Sequence, residues 1–95
     1  MSLVVWIATL SALTYTALAM LGIYHARPSA PVQHLHRAAT LYLAAFGAGI
    51  VNLGADILNP EAGGLSIGLD AFCLVAMLIC VWVAEIRIAR MESGR

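Results

Sequence analysis

Two short polar interruptions divide the chain into three apolar blocks, spanning about residues 3–24, 38–58 and 67–88. At a rise of about 1.5 Å per residue, each block is close to the length a helix needs to cross a hydrocarbon layer about 30 Å thick. The first block has no proline and no formally charged residue, and it ends where His25, Arg27, Pro28 and Pro31 favour a turn. Asn59-Pro60 closes the second, because the residue before a proline is pushed out of the helical region. The acidic, glycine-containing stretch Glu61-Ala62-Gly63-Gly64 follows, with Ser66 as the expected N-cap of the third helix. Ala17-Leu18-Ala19 has the small-residue pattern of a signal-peptide cleavage site, but no basic side chain precedes it, so the first block reads as a retained anchor.

Lipid offers no partner to an open backbone, and 95 residues are too few for an eight-stranded barrel with its turns. The expected fold is therefore an all-α membrane protein, with three transmembrane helices in one antiparallel hairpin bundle over residues 1–95. Composition supports this: 62% of residues are apolar and 11% charged, with a mean hydropathy of +0.91. So short a chain has too few charges to cover a water-soluble surface. Zero formal net charge gives no electrostatic footprint for nucleic acid, and none is expected as a partner.

The basic residues are sorted by position. Arg27 and Arg37 flank the first connection, Arg87, Arg90 and Arg95 lie at the C-terminal end, and the second connection has none. The positive-inside bias then predicts a cytoplasmic first loop and C-terminus, with the N-terminus and Glu61 outside and the chain in the inner membrane. Trp6, Trp82, Tyr24 and Tyr42 are expected in the aromatic belts.

Helices in lipid associate through small residues and occasional polar contacts. On helix two, Ala45, Gly49, Asn52 and Asp56 form one stripe, with Gly47 and Gly54 nearby. Helix three offers Ser66, Asp70, Cys73, Met77, Cys80 and Ala84, and helix one Val5, Thr9, Ala12, Thr16 and Ala19, with Ser11 and Tyr15 at the edge. Ala45, Gly49, Asn52, Asp56, Asp70 and Cys73 are the expected packing and partner residues. Asp56 and Asp70 lie near helix ends, where interfacial water lowers the cost of a carboxylate. Glu85 is expected to snorkel or pair with Arg87.

Arg27, His34, His36 and Arg37 suit anionic lipid headgroups. His34 and His36, two apart, point to different sides of a helix, so no metal site is expected. Cys73 and Cys80 are about 10 Å apart along one helix, too far for a disulfide. No nucleotide-binding or catalytic motif is present, so no enzyme activity is expected. The pattern points to a non-catalytic accessory subunit that packs against neighbouring subunits and lipids in a larger bacterial bioenergetic complex, respiratory or photosynthetic. No cofactor is required, though the surface suits a bound lipid or quinone. The alternative is a homo-oligomeric transporter or channel using Asn52, Asp56 and Asp70.

Overall fold

The computed structural model describes residues 3–29, 31–59 and 63–93; Pro60, Glu61, Ala62 and Arg95 are outside the described residues, with the expectations that rested on them. The chain forms α1 (Leu3–His25), α2 (Val32–Leu58) and α3 (Gly64–Ser93), which run antiparallel in sequence order within a rod about 53 Å long. All three are long and apolar enough to span a bilayer.

Two helices extend beyond their apolar blocks. α2 begins at Val32, not Ala38, because Pro31 takes the N-cap position and nothing after it breaks the helix. Fully buried Leu35 extends the stripe of Ala38, Ala39, Tyr42, Ala45 and Gly49 that forms the core of this helix. α3 starts at Gly64, so Ser66 is inside the first turn and is not the N-cap, and it continues past Ile88 to Ser93 through good helix formers. Hydropathy marks where lipid gives way to water, whereas backbone hydrogen bonding continues across that boundary.

α2 is the central helix, and α1 and α3 each pack mainly against it. Ser11, Ala19 and Gly22 are the buried positions of α1. With Tyr15 packed on the core between them, they form the face of α1 turned to α2, about 100° around the helix from Thr9, Ala12 and Thr16. Tyr42, expected in an aromatic belt, is a core residue with 5% exposure, its ring lying against Gly22. A Cβ at Gly22 would sit 2.7 Å from Tyr42 Cε1. Trp6, Tyr24 and Trp82 are exposed, as belt residues are. Gly47 and Gly54 face open space instead of a neighbouring helix.

Exposed threonine hydroxyls satisfy themselves locally. Thr9, Thr14, Thr16 and Thr40 each donate to the carbonyl four residues back, at 2.8–3.1 Å, so these four hydroxyl protons are not left bare.

Candidate functional site

α1 and α3 both lean on α2 and leave a groove between them in the half of the bundle away from the arginines. The groove holds about 470 Å³, with Thr9 and Thr16 on one wall, Ser66 and Asp70 on the other, and Asn52 and Asp56 from α2 on the floor. A smaller cavity of about 190 Å³ continues it inward past Gly49 and Cys73. It ends at mid-bundle, where the Tyr15 hydroxyl donates to the Cys73 carbonyl at 2.9 Å and ties α1 to α3.

Asn52 organises the polar side chains. Its Nδ2 donates to Asp70 Oδ1 at 2.9 Å, linking α2 to α3. Its Oδ1 lies 3.4 Å from Ser11 Oγ, whose single proton is better directed at the Ile7 carbonyl at 2.7 Å. Asp70 is the seventh residue of α3, about 9 Å along the helix, and so sits deeper than a first-turn position. Its Oδ2 is buried and accepts no hydrogen bond from any described residue. The Asp56 carboxyl lines the same groove and interacts with the Asp70 side chain. When both acids are ionised neither carries a proton for the other, so Oδ2 is satisfied either by one proton shared between the two carboxyls or by a donor from outside the described residues.

The expected packing set thus splits by role. Ala45 and Gly49 are buried between helices, with Leu74 and Tyr15 over Gly49, and the Cys73 backbone receives Tyr15. Asn52, Asp56 and Asp70 converge on the groove. Replacing Asn52 with Leu removes an interhelical hydrogen bond of about 0.6–1.7 kcal/mol. A double-mutant cycle with Asp70→Leu, followed by unfolding in detergent, should recover a coupling energy in that range.

The opposite end gathers the basic residues. His25 at the end of α1 and His34 in the first turn of α2 meet with Nδ1 atoms 3.1 Å apart, one ring donating and the other accepting. Arg27 folds back over the Tyr24 ring, 5.1 Å from its centroid, and donates to the Tyr24 carbonyl. His36 Nε2 lies 3.5 Å from Glu92 across the α2–α3 contact. Arg87 does not pair with Glu85, which is exposed. It reaches across to the Ala26 and Arg27 carbonyls at the end of α1. Of the expected headgroup residues, His36 and Arg37 line a common cleft with His25, Thr40 and Leu41, while Arg27 and His34 are engaged elsewhere. Among the described residues, no group of three or more His, Cys, Asp or Glu side chains could hold a metal ion.

Sequence reasoning missed Arg87 as a helix tie and Gly22 as a close-approach site. The signal for Gly22 was present, since Ser11, Tyr15, Leu18 and Gly22 follow the same spacing as Ala45, Gly49, Asn52 and Asp56.

Fold and site together define a multi-pass α-helical membrane protein of three spans. The chain matches no protein-family model, no curated protein and no solved structure.

Proposed function

We propose that this protein is a non-catalytic accessory subunit of a larger membrane complex, and that the Asn52–Asp56–Asp70 groove is where a neighbouring transmembrane helix docks. The observation that carries the reading is the buried Asp70 Oδ2, which accepts no hydrogen bond from a described residue, beside a second acid in a groove open to the surroundings. An unmet acceptor within the membrane is costly, and a partner helix presenting a serine, asparagine or basic side chain would satisfy it. Large apolar side chains such as Leu13 and Leu69 stand exposed beside the groove and would pack against the same helix. The positive-inside bias favours a cytoplasmic arginine-bearing end and an inner-membrane location, with the groove opening toward the outer side. A respiratory or photosynthetic complex is the proposed setting.

Extraction from the native membrane in mild detergent, followed by mass measurement of the intact assembly, tests this. The expected result is a stoichiometric partner that is lost in the Asp70→Leu variant. Recovery of the free chain alone in several detergents overturns the reading.

The convergence of two acids and an amide in one groove favours a second reading, a homo-oligomeric transporter or channel in which a proton or cation takes the donor's place. It predicts solute-dependent flux in reconstituted vesicles that Asp56→Asn or Asp70→Asn abolishes, and absence of flux rejects it.

A further inference from the structure

We propose that the cleft at the arginine-bearing end of the α1–α2 hairpin binds the phosphodiester headgroup of an anionic phospholipid, whose acyl chain continues along the apolar surface beside it. The cleft holds about 410 Å³ and is lined by His25 from the end of α1 and by His36, Arg37, Thr40 and Leu41 from the first turns of α2.

Three features point to this ligand. First, among the described residues the exposed Arg37 guanidinium has no hydrogen-bond or ion-pair partner, so its planar fork of N–H donors is available to phosphate oxygens. Second, the His25 ring is held through its Nδ1 by His34, and with His34 as the donor of that bond His25 carries its proton on Nε2, as a donor for a phosphate oxygen. Third, the cleft straddles the boundary between polar and apolar chain. His36 and Arg37 precede the second apolar block, whereas Leu41 is within it, and exposed Leu21 and Ala44 lie one turn further from the hairpin end on the same two helices. A free phosphate would leave that apolar wall uncovered; a lipid covers it.

The acid near this cleft is Glu92, 3.5 Å from His36 Nε2, with both side chains 59% exposed. So exposed a pair is largely screened by solvent and leaves the cleft suited to an anion. Basic residues on the cytoplasmic side attract anionic lipid by about fivefold in affinity per charge.

The test is native mass spectrometry of the purified full chain in mild detergent, supplied with phosphatidylglycerol, phosphatidylcholine or inorganic phosphate. Phosphatidylglycerol should be retained in preference to phosphatidylcholine. Arg37→Gln should lower that retention about fivefold, and Arg37→Gln with His36→Gln further, while Arg90→Gln on the exposed end of α3 leaves it unchanged. Because the exposed Arg37 guanidinium has no hydrogen-bond or ion-pair partner among the described residues, circular dichroism of the variant should match the parent. Equal retention of both lipids, an equal loss in Arg90→Gln, or displacement of phosphatidylglycerol by millimolar inorganic phosphate would each overturn the proposal, the last by assigning the cleft to a free anion.

Discussion

Gly22→Leu should destabilise the bundle by about 2–3 kcal/mol, the upper part of the range for forcing extra methylenes into a packed core. The reason is local. A Cβ at this position meets three atoms of the Tyr42 ring at 2.7, 2.8 and 3.3 Å, and that ring is a buried aromatic with no free end to swing away. Gly49 is the milder case, because the atom 2.7 Å from its added Cβ is the tip of Leu74, a flexible side chain that can turn aside, and the Tyr15 ring atoms beside it lie further off, at 3.2 and 3.3 Å. Gly49→Ala should therefore cost less than Gly22→Ala. Gly47→Ala, which meets nothing within 4 Å, should be neutral or stabilising by up to about 1 kcal/mol from helix propensity. Unfolding of the four variants by titration with a denaturing detergent, followed by circular dichroism, orders them directly. Tyr42→Leu should partly rescue Gly22→Leu if the ring is the obstacle, and an unrescued loss would place the strain elsewhere.

Arg87→Gln should cost about 2–3 kcal/mol, comparable to losing a charge-assisted hydrogen bond together with the desolvated acceptor it satisfied. The guanidinium donates through Nη1 to the Ala26 carbonyl and through Nη2 to the Arg27 carbonyl at 3.0 Å, two acceptors just past the last residue of α1. Carbonyls at a helix C-terminus lack intrahelical donors and carry partial negative charge, so a cation placed there both caps and neutralises. Arg87→Lys keeps the charge but not the two-pronged reach, and should recover part of the loss. Arg90→Gln, on an exposed turn, should stay within about 0.5 kcal/mol of the parent. The same detergent titration measures all three, and an Arg87→Gln midpoint indistinguishable from Arg90→Gln would show that the tie contributes nothing.

What could be read in advance follows from which forces act along the chain and which act across it. Apolar block length is a one-dimensional property matched to a one-dimensional constraint, the thickness of hydrocarbon, so the number, type and order of the helices were legible. Helix ends were not, because Val32–Arg37 and Ala89–Ser93 leave the apolar zone while keeping their backbone hydrogen bonds. The convergence of Asn52, Asp56 and Asp70 could be anticipated from their shared small-residue stripes. The rotation of α1 could not, since its small residues are spread around the helix and two stripes a hundred degrees apart look equally suitable. Tyr42 shows the same limit from another side. An aromatic ring near a span end suits headgroups in general, but here the missing side chain at Gly22 opens a seat for it within the protein. Arg87 was unreadable for a simpler reason, because its partners are backbone atoms, which every residue has.

The central place of α2 also sets an order of events on the ribosome. Once the first two spans have entered the bilayer, the short connection between α1 and α2 lets them close on each other through contacts near in sequence. The surface that receives the last span, including the Asn52 amide and the carbonyls that await Arg87, is then in place before that span emerges. The nascent third helix arrives at a finished template.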